Sequence, residues 1–376
     1  MKNEKFDDLR PYYDEEIADA MLRITNSEYF PVLSAFVYPD LEVAKVKDML
    51  RSYTTIEDVQ EHVSKSWTEQ IIARSIRHLS YDGHENIDKN KRYLFISNHR
   101  DIVLDASLLQ YVLHCIFGHQ TAEIAFGNNL MSSQLVIDIG RSNKMFKVIR
   151  GGSVRDFYAN SILLSEYIRH VITEKQESIW IAQRNGRTKD GIDATDQGII
   201  RMFSMSSPDN PVKALLELNI VPVSISYQWE SCDLLKALEL YQSRFEKYVK
   251  KPGEDLNSIL TGIMQPKGDV HISIGTPLSE SDLTPFEGLP NTKFNMQVAS
   301  LIDNQINKHY KLTCNNYIAH DMRSKSTHYA QYYTEKEKQL FLQHCNKALA
   351  SDVEDKQTFA NIFLGIYANP VDANFK

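Results

Sequence analysis

The stretch YLFISNHRDIVLDASLL, Tyr93 to Leu109, decides how the chain is read. An apolar run, Tyr93 to Ile96, goes straight into a polar knot, Ser97-Asn98-His99-Arg100-Asp101. An apolar-patterned segment then resumes, with Asp105 inside it. The run is a strand candidate and the segment after the knot predicts a helix over roughly 103 to 117. The same grammar continues downstream. AEIAFG predicts a second strand and KVIRGG a third, and the helix DFYANSILLSEYIRHVITEK leads to the strand SIWIAQ. NIVPVSISYQ follows a segment containing VKALLEL, and GDVHISIG comes later. Strand, helix and strand in succession predict an α/β fold, a mainly parallel sheet flanked by helices. Ligands of such sheets bind at the carboxyl ends of strands, where the polar knots of this chain fall.

Upstream, residues 1–82 predict an N-terminal helical domain. TTIEDVQEHVSKSWTEQIIARSIRHL puts Ile56, Val59, Val63, Trp67, Ile71 and Ile76 at steps that one helix face requires. Thr55 and Asp58 are spaced as an N-cap. The polar SYDGHENIDKNKR, with Asp82-Gly83 as a turn signal, closes that segment. Residues 83–292 carry the α/β domain, and 293–376 a helical C-terminal extension packed on it. The clearest helix of the extension starts at Thr334, with Glu337 at capping-box spacing. KPGEDLNS reads as a loop.

Composition excludes several classes. The 376 residues are 42% apolar and 24% charged, which suits a globular chain of more than one minimal domain. A formal net charge of −7 argues against a nucleic-acid partner. Cys115, Cys232, Cys314 and Cys345 form no CxxC pair or His/Cys cluster, so reduced thiols in a cytoplasmic compartment are expected, and no structural metal. MKNEKFDDLRPYYDEE lacks the apolar core of a signal peptide, and nowhere do 18 apolar residues run together. The expectation is a soluble chain, or one that touches membranes from outside.

Three polar knots are the candidates for chemistry, although the charge run of the second also reads as a solvated basic face. In the first, His99 is suited to general-base work near neutral pH, and a carboxylate on its far nitrogen fixes the tautomer. Asp105 can reach it if His99 sits in the strand-to-helix turn. On spacing alone a plain turn is the simpler reading, with Asn98 and Asp101 capping the helix and His99 at the surface. The second knot, GRSNKMFKVIRGGSVR, holds Arg141, Lys144, Lys147, Arg150 and Arg155 without an acidic residue. Arg150, at a strand end beside Gly151-Gly152, can offer paired N–H groups to a phosphate. In the third, IWIAQRNGRTKDG, Arg184, Arg187 and Lys189 surround Asn185-Gly186. The glycine admits close backbone approach to a ligand, and the basic side chains suit a phosphate or carboxylate; a basic surface hairpin is the alternative. A base candidate and two basic loops at strand ends can converge on one cleft.

With these motifs the sequence resembles the glycerolipid acyltransferase family, which acylates glycerol-3-phosphate and 1-acylglycerol-3-phosphate. The family's first motif, Asn-His, four residues, Asp, is NHRDIVLD here, with His99 and Asp105 in register. MFKVIR supplies Arg150 for the second. QRNGRT supplies Gly186, Arg187 and Thr188 for the third, although Asn185 stands where glutamate is expected. IVPVSISY matches the fourth through Pro222, more a wall than a chemical group. The four occur in order between roughly Tyr93 and Tyr227.

The resemblance implies a glycerol-3-phosphate acyltransferase-like fold and an acyl thioester co-substrate, on CoA or acyl carrier protein, with no other cofactor. It implies His99 as base, Asp105 as its orienting carboxylate, and Arg150, Arg184, Asn185, Gly186, Arg187 and Lys189 as binding groups for a glycerophosphate-type acceptor. Peripheral contact with the cytoplasmic membrane face follows from a lipid product. The surfaces considered are the helix DASLLQYVLHCIF, which could instead pack on the sheet, and the basic 141–155 run. Alternatives are an acyltransferase for an amino-acid lyso-lipid and a catalytically inactive lipid-binding relative. A metal-dependent hydrolase is disfavoured because no second His/Asp cluster pairs with the first.

Overall fold

In the computed structural model, which describes residues 4–131, 133–149 and 151–374, a seven-stranded sheet organises the chain. Its strands are β1 (Ile76–Asp82), β2 (Leu94–Ser97), β3 (Glu123–Gly127), β4 (Met145–Val148), β5 (Ile179–Ala182), β6 (Ile220–Tyr227) and β7 (Gly268–Ile274). They lie side by side in the order β1-β7-β6-β2-β5-β3-β4. Neighbours run parallel except β6 and β7, which are antiparallel. The mainly parallel α/β sheet expected from the sequence is what the chain forms.

Strand composition explains the layering. Leu94 and Ile96 pack on one face with Ile179, Ile181 and Ile220. Tyr93, Phe95, Trp180 and Val221 pack on the other. Side chains alternate along a strand, so a strand covered on both faces needs an apolar residue at every step. Helices Val154–His170 and Asn291–His309 contribute to the first cover, and Leu104–Tyr111 to the second. β2 pairs with β5 and β6 along its whole length, so its carboxyl end opens between two other strand ends.

Two expectations need correction. The helix predicted through Ile76 stops at Ser75. Ile76–Asp82 is instead the edge strand β1, paired with β7. Its outer residues are largely exposed, so its pattern does not announce a buried strand. Of the two readings of DASLLQYVLHCIF, packing on the sheet, the one the sequence favours, is what forms, with Leu104 to Gln110 all buried. In KPGEDLNS the loop ends at Gly253, and Glu254 opens a helix running to Met264. The capping boxes of Thr55 with Asp58 and of Thr334 with Glu337 both form. Arg141 and Lys144 of the basic run are structural: Arg141 donates to Arg10 O and Asp7 O, and Lys144 donates to Thr121 O and forms an ion pair with Glu177. All four cysteines are free. Among the described residues no helix is long and apolar enough to cross a membrane.

Candidate active site

The knot after β2 is held from several sides. Asn98 is fully buried. Its side-chain amide extends the β2–β6 pairing, donating to Ile225 O at 2.9 Å and accepting from Ile225 N at 2.8 Å. It also donates to Asp193 at 3.1 Å. Asp101 caps the next helix, its Oδ1 accepting from Val103 N and Leu104 N at 2.9 Å. Asp101 therefore does the capping work that a plain turn would require, whereas Asn98 joins strands and His99 is largely enclosed.

Asp105 sits in the first turn of that helix and is 0% exposed. Its Oδ2 accepts from His99 Nδ1 at 2.8 Å, Arg100 N at 2.7 Å and Asp101 N at 3.0 Å. Its Oδ1 accepts from the Tyr227 hydroxyl at 2.8 Å. A carboxylate in this setting accepts only, so Nδ1 carries the proton and Nε2 has the lone pair. Burial and the Asp105 charge push the Tyr227 phenol well above its ordinary range, so it remains a donor. The Trp180 ring meets His99 edge-on at 6.0 Å and donates through Nε1 to Ser97 Oγ at 3.0 Å. The imidazole is thus fixed by a buried carboxylate on one side and an indole on another. Both lone-pair regions of Asp105 are committed to protein donors, which makes it a poor metal ligand.

The third knot is bolted to the first. Gln183 N donates to Ser97 O and Thr188 N to His99 O, each at 2.8 Å. The loop between them turns at Gly186, with φ of 77°. A residue with a Cβ pays strain there, so glycine is required by the turn. Arg184, Asn185, Gly186, Arg187 and Lys189 all line the same cavity as His99, of about 630 Å³. Arg187 Nη1 is buried and has no hydrogen-bond partner among the described residues, which makes it a donor suited to an anion. Lys189 is different: its ammonium pairs with Glu239, which offsets its charge. Phe126, Leu164 and Met202 supply apolar wall to the same cavity. Arg150 lies outside the described residues; its neighbours Val148 and Ile149 line the cavity.

Sequence reasoning missed the support behind the knot. Arg100 is 1% exposed and donates to Asp193 at 2.5 Å and to Glu230 at 3.3 Å. Lys236 donates to Glu230 at 2.6 Å and to Arg100 O at 2.7 Å. Burial alone would weaken the Arg100 charge, but Asp193, Tyr310 and Glu230 outweigh it and hold the guanidinium ionised. Tyr227 was also missed. The one available signal was a tyrosine closing the serine-containing strand IVPVSISY at the sheet end that bears His99.

Residues 78–226 match the acyltransferase family model. The segment contains His99, Asp105 and the whole 184–189 loop. No curated protein matches the chain significantly. Among solved structures the chain is similar to the 1-acyl-sn-glycerophosphate (LPA) acyltransferase from Thermotoga maritima, at 14% identity and a TM-score of 0.37. The match covers 76% of this chain and 92% of that one, and a TM-score so low gives it no weight for the chemistry.

Proposed function

We propose that this chain is an O-acyltransferase. It moves a fatty acyl group from an acyl thioester, on CoA or acyl carrier protein, to the hydroxyl of glycerol-3-phosphate or 1-acylglycerol-3-phosphate. Its role is in phospholipid biosynthesis, at the cytoplasmic face of a membrane it touches peripherally. The family match over residues 78–226 supports acyl transfer as the reaction class. One observation carries the finer reading. His99, held by the buried Asp105 behind it, lines one cavity with a basic glycine turn and apolar wall. Such a cavity suits an acceptor that is polar at one end and a donor that is apolar.

The acceptor hydroxyl gives its proton to His99 Nε2 as its oxygen attacks the thioester carbonyl. The C–O bond forms, the C–S bond breaks, and the imidazolium returns the proton to the departing thiolate. Asp105 stabilises the imidazolium while it exists. Among the described residues no Ser or Cys side chain hydrogen-bonds His99, which favours direct attack over an acyl-enzyme. Arg187 holds the acceptor phosphate, with Arg150 and Arg184 as further cations. Asn185 can hydrogen-bond a glycerol hydroxyl but cannot hold a cation. The Gly186 turn, which lines the cavity, is the source of backbone N–H donors for the developing oxyanion in this reading.

The test is release of free thiol from acyl-CoA with glycerol-3-phosphate, 1-acylglycerol-3-phosphate or an amino-acid lyso-lipid as acceptor. Acceptor-dependent release, indifferent to chelator, is expected and should vanish in His99→Ala. General-base help is worth roughly 10²–10⁴-fold, so the loss is measurable. Release that survives His99→Ala overturns the assignment of the base, and no turnover with any acceptor leaves a lipid-binding protein.

A further inference from the structure

The helix Lys356–Asn374 closes the C-terminal extension and lies beyond the segment 78–226 that matches the family model. Much of its packing is that of any helix: Phe359, Phe363, Ile366 and Tyr367 enter an apolar cluster with Ile318 and Phe341. Two of its features are different. Pro370 sits inside the helix and has no N–H to offer Ile366 O, four residues back. That freed carbonyl is met by Gly191, which is buried and has φ of 81°. A Cβ on Gly191 would lie 2.2 Å from Ile366 O and 3.2 Å from Pro370 Cδ, so only glycine lets loop and helix approach this closely. Beside it, Asn369 donates through Nδ2 to Asp190 O at 2.7 Å, across 179 positions of sequence. Arg323 holds the other end of that amide, donating to Asn369 Oδ1 at 2.5 Å and to Asp372 at 2.7 Å.

Asp190 and Gly191 close the loop that bears the cavity's cations. Asp190 Oδ1 accepts from Thr188 Oγ1 at 3.1 Å and from Ile192 N at 3.0 Å. Thr188 Oγ1 also donates to Ile192 O at 2.8 Å, and Thr188 N donates to His99 O at 2.8 Å. Arg187, with its buried and unpartnered Nη1, directly precedes Thr188. The contacts therefore run from Asn369 through Asp190 and Thr188 to the backbone that carries Arg187. A turn made at a glycine such as Gly186 gives up much backbone freedom on ordering, so contacts from outside set the shape it holds.

We propose that the C-terminal helix is a clamp on the 184–191 loop, and that Asn369 is the positioning residue through which it fixes Arg187 for an anion. A guanidinium recognises a phosphate by direction as well as charge, so a shifted backbone at Arg187 loses the paired N–H geometry. A loop already held in its binding shape also avoids the cost of being ordered by the ligand. Packing alone asks only for the helix's apolar face. An amide gripped by an arginine and aimed at a loop carbonyl serves the loop. That the anion is the phosphate of an acceptor rests on the acyltransferase reading; that the helix holds the loop does not.

The experiment compares wild type with Asn369→Asp in the full chain. The new carboxylate keeps an oxygen for Arg323 and removes only the donor to Asp190 O. Hydrogen exchange over residues 184–193, calorimetric binding of glycerol-3-phosphate and thiol release from acyl-CoA are measured on both. In the variant the loop amides should exchange roughly tenfold faster, while residues 94–97 of β2 keep their protection. The dissociation and Michaelis constants for glycerol-3-phosphate should rise by roughly tenfold, with kcat within about twofold and the Michaelis constant for acyl-CoA unmoved. If Asn369→Asp does not fold, Asn369→Ala, which favours a helix and adds no charge, is measured in the same way. Unchanged exchange in the loop overturns the clamp. Faster exchange with unmoved glycerol-3-phosphate constants also overturns the proposal and leaves the helix a structural role, with the acyltransferase reading standing. Absence of glycerol-3-phosphate binding by wild type overturns the anion site and the proposal with it. Binding by wild type that weakens as expected in the variant, with no thiol release by either protein, supports the clamp and counts against the acyltransferase reading.

Discussion

Replacing Tyr227 with phenylalanine tests the structure of the dyad at one atom. The hydroxyl is the one donor to Asp105 Oδ1 among the described residues, at 2.8 Å, and both side chains are nearly or wholly buried. Phenylalanine keeps the ring and its packing and removes only the donor. A hydrogen bond to a charged group contributes about 1.5–3 kcal/mol, and a dry site gives the carboxylate no water as substitute. Tyr227→Phe should therefore lower the free energy of unfolding by about 1.5–3 kcal/mol, read as a lower urea midpoint at unchanged m-value. His99 remains bound to Oδ2, so the base is not lost. Thiol release should fall in kcat by roughly tenfold, the equivalent of about 1.4 kcal/mol, because one oxygen of the orienting carboxylate is no longer pinned. The Michaelis constant for the acceptor should not move, since Tyr227 is not among the cavity-lining residues. A variant as stable and as fast as wild type would refute the reasoning, because it would mean that Oδ1 is solvated or satisfied elsewhere.

Two further outcomes follow, one from a group in the cavity and one from a buried carboxyl away from it. Arg187→Ala should raise the Michaelis constant for a phosphorylated acceptor by roughly tenfold to a hundredfold, with a smaller change in kcat, because one charge-assisted donor is removed. An unchanged constant would sink the assignment of Arg187 as the phosphate partner. Asp303 concerns stability alone: burial pushes its carboxyl up to about 6 from an ordinary 3.8, despite donation from Thr195 N and Oγ1. Its folded pKa lies above its unfolded one, so its contribution is most favourable below about pH 4 and is lost as pH rises through about 6. Asp303→Asn keeps an oxygen acceptor for Thr195 and removes the ionisation. From about pH 4 to about pH 7.5, wild type should lose up to roughly 3 kcal/mol relative to this variant. Parallel urea midpoints across that range would contradict the shifted carboxyl.

What local chemistry controls could be read before folding. Capping boxes span three residues, so Thr55 with Asp58 and Thr334 with Glu337 announce themselves. Unbroken apolar runs such as LFIS and SIWIA specify strands buried on both faces, and these are the centre of the sheet. The edge strand β1 is harder, because only β7, far along the chain, turns IRHLSYD from helix continuation into strand. Likewise DASLLQYVLHCIF carries an apolar pattern that suits a membrane or a sheet, and only the sheet's position decides between them.

The same division runs through the site. His99 and Asp105 are six residues apart, so their partnership is a matter of one turn and was legible as a spacing. The dryness of that pair, the Tyr227 donor and the buried Arg100–Asp193–Glu230–Lys236 cluster depend on strands and loops brought from 90 to more than 130 positions away. Lys189 looked like a free cation until Glu239 came beside it. Residue type and spacing determined which groups were available to do chemistry. Burial and long-range pairing, which exist only once the chain has closed on itself, decided which of them remain free to meet a substrate.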